Sequence, residues 1–318
     1  MTNKQKYYIF CETEENIPIF SQAWWLDAVC GTNWDVVLVE HHGDIIASMP
    51  YHMKKKTGFN IITMPKLTQN MGPYIKYPDN QKYEKKIVYE KQVMTKLIDM
   101  LPECDKFSQN FHYTITNWQP FYWKEFKQST KYTYVLNDLY DSKLVIKNFS
   151  SECRNKIDKA KKIVSVIETD NLVEFYKISR MSFDRQGIKI PYSYNYLKKL
   201  DDVCSANRSR KIFFAIDKNN DIHAVVYLIR DKLSVYLLAS AGDPMFRSSG
   251  AKNILVLEAV KFAKDNGLIF DFEGSMIENV VKYNRSFGAI QKPYFHIMKT
   301  SSTLLRVKDA FKEVLLSK

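Results

Sequence analysis

The 318-residue chain has little glycine and proline, 10 of each, and only five cysteines. So few backbone breakers exclude a collagen-like or linker-rich chain. Cys11, Cys30, Cys104, Cys153 and Cys204 are odd in number, widely scattered and never in CxxC spacing. That pattern points to reduced thiols rather than a disulfide frame or a zinc site. No apolar run approaches the roughly 18 residues that a bilayer-spanning helix needs. The basic start, Met1 to Phe10, is followed by acidic residues rather than by an apolar segment and a small-residue cleavage site. A cytoplasmic protein without a transmembrane segment is the expectation. The six histidines show no metal-ligand spacing, so no metal is expected. Ser, His and Asp occur without a nucleophile-elbow sequence, which leaves a hydrolase triad unsupported.

Aromatic residues are plentiful, with 20 Tyr and 19 Phe in a chain that is 45% hydrophobic, and this excludes disorder. The length suits two ordinary domains or one large one. The net charge of +12 attracts anionic partners: nucleic acid, a phosphorylated cofactor, a nucleotide-linked substrate or an anionic membrane surface. Much of the excess lies in Lys54–Lys56, Lys85-Lys86 and Arg154–Lys162, each of which reads first as a solvated face. The cluster Trp118, Phe121, Tyr122 and Trp123 could stack bases, but beside Pro120 it reads as packing.

Hydrophobic periodicity gives an order of elements. A strand is expected at Tyr7–Cys11, a helix at Ser21–Cys30, and a hairpin of Trp34–Glu40 with Asp44–His52 around Gly43. A strand at Asn60–Pro65, a loop, a helix over Gln81–Met100, a strand at Lys106–Phe111, a helix at Gln119–Phe126 and a strand at Tyr132–Leu136 follow. The second half begins with a helical pattern over Ser142–Lys162 and a strand at Val164–Glu168. Helices are then expected at Leu172–Arg185 and Tyr194–Ala206, and three strands at Lys211–Asp217, Ile222–Arg230 and Leu233–Ser240. After a helix at Ala251–Asn266, ended by Gly267, come a strand at Ile269–Glu273, a helix at Ile277–Phe287, a strand at Tyr294–Lys299 and an amphipathic helix at Thr303–Leu316. Nearly the same order occurs twice without residue-level similarity, so the expectation is a mixed α/β protein of two topologically alike units. Their expected spans are 1–137 and 138–300, with the helix in 301–318 packing back on the first.

The stretch Leu233–Gly267 carries the most chemical information. A strand meets Ala241 to Lys252, small and basic residues that precede a strongly apolar helix. A helix N-terminus offers unpaired amides and positive potential to a phosphate, and Arg247 and Lys252 would add charge. Taken alone, Ser248 or Ser249 is a cap and Gly250 eases the first turn. A second stretch, Phe270-Asp271-Phe272-Glu273-Gly274, puts Glu273 at a strand's C-terminal edge, where open α/β sheets bind ligands. There a carboxylate serves either as a general base or as a favourable charge before the next helix.

The run Arg247-Ser248-Ser249-Gly250-Ala251-Lys252 resembles the pyrophosphate loop of the GNAT acyltransferases, Q/R-x-x-G-x-G/A, with Lys252 where the family has a small residue. Three further segments resemble the Fem family of non-ribosomal peptidyltransferases, whose members pair two GNAT-like halves. Asn70-Met71-Gly72-Pro73 is similar to an R-G-P turn without its Arg. Arg154, Ile157 and Ala160 match an R-x-x-I-x-x-A helix. Tyr283 to Gly288 is similar to F-K-x-x-F-G, with Asn284 at the Lys. The resemblance spans almost the whole chain and implies two tandem GNAT-like units and transfer of an acyl or aminoacyl group to an amine acceptor. The acceptor is a cell-envelope (peptidoglycan-type) precursor, a nucleotide sugar or a small amine.

On that reading Arg247, Ser248, Ser249, Gly250, Ala251 and Lys252 bind an anionic phosphorylated donor, either acyl-CoA or aminoacyl-tRNA, which would make tRNA but not DNA a partner. Glu273, Tyr283, Asn284 and Arg285 surround the reacting centre, and Gln69, Asn70 and Arg154 hold the acceptor. The rival reading is a non-catalytic binding protein on a degenerate GNAT scaffold.

Overall fold

The chain divides into two units. In the computed structural model, which describes residues 1–140 and 142–308, one unit is Met1–Lys131 with the segment from Pro293 on, and the other is Tyr132–Lys292. Among the described residues no helix is long and apolar enough to cross a membrane.

The first unit opens with α1 (Asn3–Thr13) and α2 (Ala23–Cys30), then β1 (Trp34–His41), β2 (Asp44–Lys56), β3 (Phe59–Ile62) and β4 (Tyr74–Ile75). It continues through α3 (Tyr83–Asp99), β5 (Lys106–Asn110) and α4 (Gln119–Trp123). The strand expected at Tyr7–Cys11 is instead part of α1. A capping box starts that helix: the Gln5 N–H donates to Thr2 Oγ1 at 3.2 Å and the Thr2 N–H to Gln5 Oε1 at 2.8 Å. Tyr7 and Phe10, three residues apart, then share the buried face, and the Tyr7 hydroxyl donates to the Ser21 carbonyl at 2.7 Å. A five-residue apolar window cannot separate that spacing from alternation.

β1 and β2 form the expected hairpin, turned by His42 and Gly43, both with positive φ. β2 pairs antiparallel with β3 and β4, and β3 pairs parallel with β5. Helix α3 buries Val93, Met94 and Leu97 in the same core as Val37, Met49, Ile62 and Phe107.

β6 (Lys127–Leu136) leads into the second unit, through α5 (Ser142–Lys147), α6 (Ser151–Ala160), β7 (Ser165–Glu168), α7 (Leu172–Asp184) and α8 (Tyr194–Ala206). Then come β8 (Arg210–Ile216), β9 (Ile222–Arg230), β10 (Ser234–Gly242), α9 (Ala251–Asp265), β11 (Ile269–Asp271) and α10 (Glu278–Arg285). The single helix expected over Ser142–Lys162 is broken, because Ser150 starts a new one by accepting the Cys153 N–H at 3.1 Å. β7 to β10 pair antiparallel in sequence order, whereas β10 and β11 are parallel. Along β9, Ala224, Val226 and Leu228 join the core that α9 builds with Leu255, Val256 and Val260. Tyr227, on the opposite face, packs on Phe175 of α7 and donates to Asp201 of α8 at 2.8 Å. Helices therefore cover both faces.

The last strand, β12 (Ile290–Thr300), returns to the first unit: its residues 296–300 pair antiparallel with β5. Conversely Val135 and Leu136 of β6 pair with β11 of the second unit. Each stretch of chain thus supplies a strand to the other's core. Hydrogen-bond partners, not chain order, set the division at Lys131 and Pro293 rather than at 137 and 300. Residues 303–308 are helical, with Leu305 buried, and the rest of the helix expected to Leu316 lies outside the described residues.

The turn Met71-Gly72-Pro73 is held by the Met71 N–H, which donates to the Asn110 carbonyl at 2.7 Å. Gly72 has φ +146°, and a Cβ there would stand 2.5 Å from Phe111 Cδ1. Gly72→Ala should therefore lower stability by about 2–4 kcal/mol through strain and overpacking. A urea-unfolding midpoint equal to that of the parent chain would contradict this account.

Candidate active site

The corner between β10 and α9 is tied down from two sides. The Ser182 hydroxyl of α7 donates to the Gly242 carbonyl at 2.8 Å, and the Asp243 N–H donates to the His223 carbonyl of β9 at 3.0 Å. A 3-10 turn, Pro244–Ser249, follows, started by Asp243, whose Oδ1 accepts the Met245 N–H at 2.8 Å. Gly250 then takes φ +77°, and any Cβ there would overlap the Lys156 carbonyl oxygen of α6. Only glycine meets both demands.

Around this corner lies a cavity of about 300 Å³. Arg247, Ser248, Ser249, Gly250, Ala251 and Lys252 all line it, together with Lys156, Arg185 and His223. Four cationic side chains thus meet one lining carboxylate, Asp243. Lys156 is offset by Glu152 at 2.7 Å, an exposed pair. Burial and the neighbouring Arg185 lower the Lys252 pKa from its ordinary value. The amides of the first turn of α9 contribute less than expected. The Ala251 N–H already donates to Ser249 Oγ at 3.2 Å and the Asn253 N–H to the Gly250 carbonyl at 2.9 Å. Positive potential here comes chiefly from side chains.

A second cavity, about 760 Å³, runs between α6 and α10 and shares Lys156, Asn253 and Tyr283 with the first. Tyr283 and Arg285 line it. The Tyr283 hydroxyl is buried with no hydrogen-bond partner among the described residues, and the Lys252 Nζ lies 5.3 Å from its ring centroid. Burial first, and Cys153 second, hold its pKa far above the ordinary tyrosine range. Asn284 is different: only 3% exposed, it faces inward and lines neither cavity.

β10 and β11 stay in register for three residues, ending at Tyr236 and Asp271; β10 then runs on to Gly242 while the other strand stops. Glu273 lies just past this point with φ +58°, a left-handed conformation unusual for a non-glycine residue. Gly274 follows with φ +69°, packed so closely on the Tyr132 carbonyl that a Cβ would overlap it. Burial, and secondarily the charge of Asp271, raise the Glu273 pKa well above its ordinary value. Burial thus disfavours the ionised form of this carboxyl. Glu273 does not appear among the residues lining either cavity.

Residues 147–278 match the acetyltransferase (GNAT) domain family. The fold is the GNAT fold. FemX superposes with a TM-score of 0.67 at 12% identity, covering 93% of this chain and 96% of its own. The C-terminal domain of a protein described as a lysylphosphatidylglycerol synthetase, from Agrobacterium fabrum, gives 0.57 at 9% identity, with 97% and 96% covered. A tandem GNAT protein from the clavulanic acid biosynthesis pathway gives 0.50 at 5% identity, with 92% of each chain covered. No curated protein sequence matches the chain. The resemblance to Fem-type proteins holds at the level of fold.

Within this GNAT fold the residues expected to hold an acceptor are not brought into one unit. Gln69 and Asn70 belong to the first, where the Gln69 Nε2 donates to the Tyr294 hydroxyl at 3.4 Å and Asn70 is buried. Arg154 belongs to the second, and its Nη1 donates to the carbonyls of Lys147 (3.0 Å) and Phe149. It fastens α5 to α6. Among the described residues, no three His, Cys, Asp or Glu side chains are grouped to hold a metal.

Sequence reasoning passed over Asp271, which is 3% exposed; its Oδ1 accepts from the Thr133 hydroxyl at 2.5 Å and from the Glu273 N–H at 2.8 Å. Phe270 and Phe272 flank it in the chain, and helices on both faces bury all three. Burial pushes the Asp271 carboxyl up to about 6, against an ordinary 3.8. The fold therefore favours its protonated form, and the associated stability is full below the ordinary value and lost as pH rises toward 6. Asp271→Asn keeps the Oδ1 acceptor and removes the ionisation. It should flatten the stability profile between those two values, a difference of up to ~3 kcal/mol. Chemical denaturation across that range measures it, and an unaltered slope would refute the assignment.

Proposed function

We propose that the chain is an N-acyltransferase that moves an acyl or aminoacyl group from an activated, phosphorylated donor to an amine. The observation that carries this reading is the cationic cavity at the β10–α9 corner of a GNAT-fold unit, where Lys156, Arg185, Arg247 and Lys252 converge. Arg247, Lys252 and the hydroxyls of Ser248 and Ser249 bind the donor's phosphates, and the amides around Gly250 orient them. An anion there relieves the repulsion between Lys252 and Arg185.

The reaction is direct attack of the amine nitrogen on the acyl carbonyl carbon. The C–N bond forms, negative charge develops on the carbonyl oxygen, the carrier leaves and the amine gives up a proton. The chain supplies position, hydrogen-bond donors for the developing oxyanion and a proton acceptor. The Tyr283 hydroxyl, buried at the wall common to both cavities, suits the oxyanion or the leaving group, and Arg285 adds charge in the larger cavity. Glu273, its pKa raised by burial, would act from just past the end of β11 as a hydrogen-bond donor when protonated and as a base when ionised. The larger cavity, carrying both signs of charge in Lys282, Arg285, Glu152 and Glu278, suits an amine acceptor that also bears an anionic group.

Acyl-CoA and aminoacyl-tRNA both satisfy a cationic donor site, and two binding measurements separate them. A CoA thioester as donor raises the melting temperature in an acyl-CoA panel, with little salt dependence beyond its few phosphates. Aminoacyl-tRNA as donor leaves that panel silent and shows affinity falling steeply with salt. In either case the double variant Arg247→Ala/Lys252→Ala should weaken the active donor by roughly tenfold or more. Undiminished affinity in that variant would remove the cavity from the mechanism. Tyr283→Phe should lower turnover by roughly tenfold or more with little change in donor affinity. A chain that only binds would show the affinity loss and no turnover with any amine.

A further inference from the structure

In the first unit, the sheet face opposite the hydrophobic core carries a second cationic cluster. Phe107 and Ile297 point into the core, so Ser108 and Asn110 of β5 and His296 of β12 point the other way. Asn110 stands directly opposite His296 in the register, and its Oδ1 accepts from His296 Nδ1 at 2.8 Å and from the Lys131 ammonium at 3.3 Å. The Asn110 Nδ2 donates to the Gln69 carbonyl at 3.1 Å, which fixes which way the amide faces. His296 Nε2 lies 3.5 Å from the Ser108 hydroxyl. One neutral oxygen thus serves two nitrogen donors, and Lys131 pairs with no carboxylate among the described residues.

We propose that this face is an oxyanion-binding site, in which Lys131 and His296, held by Asn110, receive a phosphate or carboxylate group of a ligand. A partly buried ammonium ordinarily takes a carboxylate as counter-ion, because a desolvated cation without one is costly. Here desolvation lowers the Lys131 pKa, and nothing among the described residues offsets it. His296 is pushed down to about 4, first by burial and then by the charges of Lys131 on β6 and Lys106 on β5; no carboxylate acts on it. A bound oxyanion supplies the missing charge to both groups at once, accepting from Lys131 and favouring the protonated imidazole. The site lies wholly within the first unit, so its test involves neither donor nor turnover and is separable from the acyltransferase reading.

Desolvation lowers the basicity of the Lys131 amine, and its reactivity can be followed by trace acetylation. The intact chain is labelled with acetic anhydride at equal ionic strength in chloride, inorganic phosphate or chloroacetate, and the acetylated lysines are mapped by peptide mass spectrometry. In about 50 mM phosphate, Lys131 should be labelled at least roughly threefold more slowly than in chloride, while exposed Lys54 is unaffected. Slowing by phosphate alone assigns a phosphate ligand, and equal slowing by chloroacetate assigns an oxyanion generally. Equal Lys131 rates in all three salts, or equal slowing at Lys54, would overturn the proposal. His296→Gln keeps Lys131 and should diminish the phosphate protection; full protection in that variant would show that the imidazole has no part and would overturn the two-residue site.

Discussion

Contact between Gly250 and the last turn of α6 is the constraint on which the second unit's site depends. Helix α6 buries Cys153, Ile157 and Ala160 in the same core as α9, so the position of its backbone is set by apolar packing. That packing brings the Lys156 carbonyl to the place a side chain at position 250 would fill. Because the residue is glycine, the corner closes up, and three residues, Lys156, Asn253 and Tyr283, become a wall facing two cavities. Side-chain chemistry is layered on this backbone approach: Asn253 reaches the Cys153 sulfur at 3.5 Å, and Lys252 stretches along Gly242 toward the Tyr283 ring. Charge and shape at the site are thus consequences of helix packing, not of a loop acting alone.

The unit separates its charges in an uneven way. Cations gather at the cavity edge, where water and ligands reach them, while burial raises the pKa of both acids at the end of β11. Asp271 is fixed by the Thr133 hydroxyl and by the Glu273 amide, so the turn that places Glu273 in a left-handed conformation is itself braced by the neighbouring acid. Two like-charged groups so close cannot both ionise cheaply in a dry setting. A positive charge brought beside them would reverse that balance.

Much of this architecture was legible in the sequence because periodicity survives packing. The hairpin at Gly43, the three strands before Gly242 and helix α9 lie close to their expected positions, and all of Arg247 to Lys252 face one cavity. The failures have particular causes. Helix α1 hides its signal in the Thr2–Gln5 capping box rather than in its apolar residues. The pairing of β6 with β11 and β12 with β5 is a long-range exchange that no local pattern encodes. The break at Ser150 also leaves two carbonyls within reach of the Arg154 guanidinium, a contact that a single unbroken helix would not have suggested. The Asn110–His296 pair joins residues 186 positions apart and could be found only from the fold.

The departure from the Fem-like pattern at Asn284 has a structural meaning. Positions 282, 283 and 285 of α10 line the larger cavity, whereas 284 turns toward the interior and is 3% exposed. A lysine at that position would have to bury its ammonium or thread its stem outward, and asparagine avoids the cost of an enclosed charge. The cations α10 does present to the cavity are Lys282 and Arg285, one residue beyond either side of the Tyr283–Asn284 step. A planar guanidinium and a flexible ammonium recognise different groups. With the same backbone, moving positive charge from an inward to an outward helix position changes which substrate atoms it can meet, so the chemistry of this chain must be read from its own walls rather than carried over with the fold.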